Sequence, residues 1–149
     1  MKKTITNFAF SIVLQLAGAN ICFAQDDKPF TDGPIWTVQF VHTKPGMTML
    51  YYKNLSEGWI KQMRAAKEAG YIIDYKVLSA MPSSESDWDL LLMYQVKNYA
   101  MLDGMQDKLT ALSKKVFNTN EDGLHTKAVS RNDLRIMMGG KITQELVFK

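Results

Sequence analysis

"FVHTKPGMTMLYYKNLSEGW", residues 40–59, changes its period half-way along, and that change decides the fold. Its first four residues close a longer alternating run, "IWTVQFVHT", residues 35–43. Trp36, Val38, Phe40 and His42 share one face of that run; Ile35, Thr37, Gln39 and Val41 share the other. Both faces carry apolar side chains, which predicts a central strand covered on both sides. Lys44-Pro45-Gly46 ends it. From Met49 the apolar residues recur at three- and four-residue steps. Tyr52, Leu55, Trp59, Met63 and Ala66 form a stripe, with Lys53, Glu57, Lys61, Arg64 and Glu68 largely opposite. Thr48 is the expected cap and Gly70 the expected left-handed stop. Glu57 precedes Lys61 by four, the favourable order for a helical ion pair.

Downstream the same sequence of periods returns. "YIIDYKVLSA", 71–80, alternates, and "MPSSESD" is a turn-rich connector. "WDLLLMYQV", 88–96, is a more apolar and therefore central strand. Asn98 is placed to cap a second helix with the stripe Leu102, Met105, Leu109, Leu112 and Val116. Asp103 and Asp107 near its start, and Lys114 and Lys115 near its end, suit the helix dipole. Residues 118–133 are polar and predict a loop. Residues 134–148 predict a last strand, with a bulge or kink at Gly139-Gly140.

The order β-α-β-β-α-β predicts an α+β, ferredoxin-like domain over residues 35–149: a four-stranded antiparallel sheet with two helices on one face. Two helices cover only one face. The other keeps either Trp36, Val38 and Phe40 or Ile35 and Val41, together with Leu91 and Met93 or Leu90, Leu92 and Tyr94. Such a strip exceeds what a soluble monomer leaves bare, so a homodimer with sheets packed face to face is expected.

Upstream, residues 1–24 have the pattern of a secretory signal. "MKK" supplies the positive start, Phe8 to Ala19 the apolar stretch, and "CFA" a cleavage site after Ala24, with a second after Ala19. The leader is of the bacterial kind, so a periplasmic or secreted protein is expected, free of the membrane once cleaved. "QDDKPFTDGP", 25–34, is expected to be flexible.

The chain of 149 residues is 46% hydrophobic, enough for one packed domain. Its net charge is +3, but setting aside Lys2 and Lys3 lowers the 18 basic residues to 16 against 15 acidic ones, a balance of +1. No basic run interleaved with aromatics occurs, so nucleic acid is not an expected partner. The one cysteine, Cys22, falls within the leader, which leaves the mature chain without disulfides, thiolate metal sites or a cysteine nucleophile.

The segment "KPGM…YY…L…GW" through "AGYIIDYKVLS", followed by "DWDLLLMYQV", resembles the dimeric α/β-barrel superfamily over roughly residues 35–148. Its members include antibiotic-biosynthesis-type monooxygenases, stress-responsive barrel proteins and NIPSNAP-like proteins. The resemblance implies that two sheets join into a barrel and that a ligand cleft lies between helices and sheet. It also makes a cofactor-independent monooxygenase one candidate activity. The haem-degrading members carry their histidine on a helix, whereas His42 ends a strand, so no haem and no other cofactor is expected.

Candidate site residues are few. His42 is either a base at the mouth of a cleft or a strand-end histidine bonded locally. The second reading fits better, because no neighbour supplies another catalytic group. His42 and His125 lack metal-ligand spacing, and no metal is expected. Asp87 and Asp89, flanking Trp88, are expected to be solvated. Trp36, Tyr52, Trp59, Tyr75 and Tyr94 are candidate walls for an apolar or aromatic ligand, against a plain core role for the same rings. The functional expectation is a small-molecule-binding homodimer. An oxygenase, or an interaction protein whose cleft is filled by its own side chains, stands as the alternative. An open cavity containing His42 would favour a ligand or an enzyme, and a sealed core the last.

Overall fold

The structure is a computed structural model and describes residues 28–149 apart from Glu85. The expected leader, its cleavage points and residues 25–27 lie outside the described residues.

The elements run β1 (Phe30–Thr43), α1 (Thr48–Leu55), a π-helical turn (Ser56–Ile60), α2 (Lys61–Glu68), β2 (Asp74–Ser79), β3 (Leu90–Val96), a 3-10 turn (Tyr99–Leu102), α3 (Met105–Val116), α4 (Glu121–Asn132) and β4 (Arg135–Phe148). The four strands form one sheet in the order β2-β3-β1-β4, and every neighbouring pair is antiparallel. The apolar strands β1 and β3 are the central ones, as their two-sided hydrophobicity predicts. Pro45 and Gly46 make the turn after β1: Met47 N–H donates to the Lys44 carbonyl at 2.9 Å, and Gly46 takes a φ of 75°.

Four expectations need correction. First, β1 begins at Phe30, not Ile35, so part of the segment expected to be flexible is strand: Phe30 to Asp32 pair with Phe148 to Leu146. Pro34 cannot donate to a ladder, which argued for a later start. Its place is a bulge, where Gly33 and Pro34 together face Glu145. Second, the expected loop over 118–133 contains α4. Asn120 caps it by accepting from Gly123 N–H at 3.0 Å, Glu121 and Asp122 occupy the first turn and Arg131 the last. No residue of α4 is buried, so no apolar stripe marks it in the sequence. Third, Asn98 caps only the 3-10 turn; α3 starts after Gly104. Fourth, Thr48 does not cap α1. Its hydroxyl bonds to that of Thr43 at 3.0 Å, and Met47 holds the cap position.

The core lies between the sheet and the helices in two clusters. One joins Ile35 and Val96 to Met63, Ala66, Ile72, Met105 and Leu109; the other joins Val41, Leu90 and Leu92 to Tyr51 and Leu55. The odd-numbered residues of β1 therefore face the helices. Trp36, Val38 and Phe40 point the other way, beside Leu91 and Met93 of β3. Gly139-Gly140 does mark a bulge in β4: Phe40 pairs with Gly139 and Val41 with Met137, leaving Met138 as the extra residue.

Candidate functional site

The helical side does not close over the sheet. A cleft of about 570 Å³ remains between α1, the π turn, α2, α3 and α4, with Gln39 and Tyr94 of the sheet at its floor. The π turn shapes this cleft. Tyr51, Leu55, Trp59 and Met63 are spaced by four, and each such step overshoots an α-helical turn by roughly 40°. Three steps would carry Met63 far round a straight helix. The wider turn over Ser56–Ile60 takes some of this back, so Tyr51, Trp59 and Met63 all reach the same interior.

Aromatic and aliphatic side chains, Trp59, Tyr94, Met63, Leu109, Phe117 and Leu124, share the walls with polar ones such as Gln39, Gln62, Gln106 and Thr110. Trp59 is fixed by Tyr75, whose ring stands edge-on to it at 6.0 Å and 82°. The Nζ atoms of Lys61 and Lys127 each lie 5.8 Å from the Phe117 ring centre. The expected Glu57–Lys61 ion pair does not form; the π turn separates the two, and Lys61 turns to Phe117 instead.

One region of the cleft holds two arginines. Tyr51 is fully buried, and its phenol oxygen accepts from Arg135 Nη1 at 2.9 Å. The Arg135 guanidinium also stacks 5.5 Å from the Tyr51 ring centre. Burial pushes the Tyr51 phenol above its ordinary pKa, partly offset by Arg135. Arg131, from the last turn of α4, lines the same space. Burial, and then the neighbouring charge of Arg135, hold Arg131 below its ordinary value. Two buried side-chain atoms at the site have no partner: Asn54 Oδ1 and Arg135 Nε. Elsewhere in the cleft Gln62 Nε2 donates to Ser113 Oγ at 2.6 Å, and Ser113 donates to the Leu109 carbonyl at 2.8 Å. Among the described residues no group of three His, Cys, Asp or Glu side chains is placed to hold a metal ion.

The expected ligand walls divide. Trp59 and Tyr94 line the cleft, and Tyr75 backs Trp59. Trp36 lies across the sheet, where its Nε1 donates to Glu145 at 3.2 Å and Lys76 Nζ sits 5.1 Å over its ring. Tyr52 is 37% exposed and borders a separate depression of about 280 Å³ between α1 and the β2–β3 side of the sheet. His42 also lies across the sheet, outside the cleft. Its Nδ1 is 2.7 Å from the Asp87 carbonyl oxygen, so this nitrogen carries the proton and donates. Asp87 and Asp89 are not merely solvated. Asp87 accepts from the Ser83 N–H and hydroxyl, and Asp89 accepts from the Thr43 N–H and hydroxyl.

Sequence reasoning missed Tyr51, Arg131 and Arg135. The four-residue step from Tyr51 to Leu55 was available for the first. For the arginines the available signal was Asn120 before Glu121-Asp122, a helix start that would have put Arg131 on a helix end.

Fold and site together define an α+β protein: an open antiparallel sheet, helices on one side, and a cleft between the layers. Among the described residues no helix is long and apolar enough to cross a membrane. Set against models of known families, curated proteins and solved structures, the chain matches none.

Proposed function

We propose that the protein is an exported homodimer of ferredoxin-like plan, a dimeric α/β barrel, that binds an apolar or aromatic small molecule in the cleft between helices and sheet. The cleft carries this reading. Its volume of about 570 Å³ falls within the range of ligand pockets, roughly 300–1,000 Å³, and aromatic walls there stand beside converging polar and charged side chains. A purely structural role would instead favour side chains filling this space. Export rests on the leader sequence alone. An oxygenase would need contributors other than His42, which the sheet separates from the cleft.

The neutral dye N-phenyl-1-naphthylamine tests the reading. Its fluorescence should rise on mixing with the protein and saturate at one dye per subunit. Trp59→Ala should weaken binding about tenfold, by loss of a large aromatic contact surface. Native mass spectrometry of protein purified from its own host should show a retained small molecule on a two-subunit species. A dye that does not saturate, or whose binding ignores Trp59→Ala, would refute the cleft as a ligand site.

A further inference from the structure

We infer that the ligand of this cleft is an amphipathic acid, an apolar or aromatic body ending in a carboxylate or phosphate, whose oxyanion is held by Arg131 and Arg135. The inference rests on the cleft being a ligand site, and it names the chemistry of what binds there.

Four observations converge. Arg131 and Arg135 line one cleft from consecutive elements, the end of α4 and the start of β4. Among the described residues neither arginine lies within ion-pair distance of a carboxylate; the ion pairs join Lys67 to Asp74 and Lys114 to Glu121. Two half-buried guanidinium groups facing one space without a counter-charge repel each other, and an anion between them removes that cost. Arg135 is already oriented: one Nη donates to Tyr51, the guanidinium carbon lies 5.5 Å from the centre of that ring, and Nε is buried with no acceptor. A buried donor left unpaired is costly, and an oxyanion is the partner its fork geometry fits best.

The surroundings agree. Asn54 lines the same cleft with its buried amide oxygen unpartnered. Two acidic residues line the cleft, and both are exposed: Glu121 is tied to Lys114 at 2.9 Å, and Glu57 forms no ion pair with either arginine. Lys127, also exposed on the lining, adds positive charge. The aromatic walls of Trp59, Tyr94 and Phe117 suit the body of the ligand and the arginines its head.

A matched pair of dyes tests this. 1-Anilinonaphthalene-8-sulfonate and N-phenyl-1-naphthylamine share a skeleton and differ by the anionic group. The anionic dye should bind at least about tenfold tighter, in line with charge-assisted hydrogen bonds. Arg131→Gln and Arg135→Gln should each shift the ratio of the two affinities about tenfold towards the neutral dye. Arg131→Lys, which keeps the charge but loses the fork, should fall between. Arg135→Gln also strips Tyr51 of its partner, so its melting curve is recorded, and Arg131→Gln carries the test if it unfolds. Ala128→Trp, which fills the cleft from α4, should abolish both signals and so locate the dyes. Displacement by 1-naphthylacetate or by 1-naphthyl phosphate then assigns the anion. Equal affinity for the two dyes, or arginine variants that leave the ratio unchanged, would overturn the inference while the ligand site stands. Failure of both dyes to bind, or indifference to Ala128→Trp, would bring down the ligand site and the inference with it.

Discussion

Tyr51 and Tyr52 are adjacent and identical in type, yet one is fully buried and the other 37% exposed. Stripe counting chose Tyr52 because it assumed a uniform 3.6-residue turn, and the π turn downstream breaks that assumption. Local periodicity thus located the helix but not the phase of its inward face. Tyr51 is the residue to test. Tyr51→Phe keeps the ring and removes the oxygen that accepts from Arg135 Nη1, leaving a second buried guanidinium N–H unpaired. We expect a loss of about 1–3 kcal/mol, measured by urea denaturation. The pH dependence has a definite sign. The folded phenol titrates above its ordinary value of 10.0, so above that pH the unfolded chain releases this proton before the folded one does. The contribution is intact below about pH 10 and is lost as pH rises through the folded value. Stability of the native protein should fall more steeply on the alkaline side than that of Tyr51→Phe. Parallel curves for the two proteins would show that Tyr51 titrates as a free phenol. His42 makes the opposite point: sequence placed it on a strand end, but its partner is the carbonyl of Asp87, 45 residues away, and sequence could not say which side of the sheet held the cleft.

At the scale of elements, the same substitution should act with opposite signs at two glycines. Gly58 lies in the π turn, and a methyl group there meets nothing nearer than Arg131 Nη1 at 3.9 Å. Its backbone is right-handed, so Gly58→Ala should gain about 0.5–1 kcal/mol from reduced chain entropy. Gly140 lies beside the β4 bulge, where the added methyl carbon would sit 2.7 Å from the Val38 carbonyl oxygen, a backbone atom of the neighbouring strand. Gly140→Ala should cost on the order of 1–3 kcal/mol by forcing the strands apart. Midpoints of thermal or urea unfolding decide both; a destabilised Gly58→Ala would mean that the π turn itself requires glycine. The double glycine of β4 was legible because a bulge is a local backbone demand written in residue type. Helix α4 was not, for a physical reason. It walls a cleft instead of packing onto the core, so none of its residues is buried and its polar sequence resembles a loop. The cleft's arginines were hidden with it.

For the whole molecule, the central placement of β1 and β3 was legible because period and hydrophobicity report which faces are covered. In the proposed dimer a second copy of the chain covers the second face of the sheet. Trp36, Phe40, Leu91 and Met93, all half-buried, form the centre of that face around the buried Val38, with Phe40 edge-on to Trp88 at 5.6 Å. Charge lies on the outer strands, in contact with that centre: Lys76 over Trp36, Lys141 opposite Val38 on β4, and Glu145 bonded to Trp36. An apolar centre with a polar margin is the anatomy of an interface. Outer strand β4 borders this face. It is 14 residues long and exposes apolar side chains on both sides: Ile136 and Val147 on this face, Met137 and Ile142 on the helix face, each at least 40% exposed. A long apolar edge strand left bare is an aggregation hazard, which a closed dimer removes. Covering about 600 Å² per subunit gives about 1,200 Å² in the pair, the lower end of stable interfaces, so dissociation should be measurable. Light scattering at micromolar concentration should give twice the chain mass, falling towards one subunit on dilution. Leu91→Lys puts a charge opposite Phe40, with Leu78 on its other side, and should yield monomers at the same concentration with an unchanged far-UV spectrum. Because the cleft lies on the other side of the sheet, the dye affinities of such a monomer should match those of the dimer within about twofold, the spread expected of uncoupled distant sites. A wild-type chain that runs as a monomer at every concentration would sink the barrel while leaving the cleft and its arginines in place.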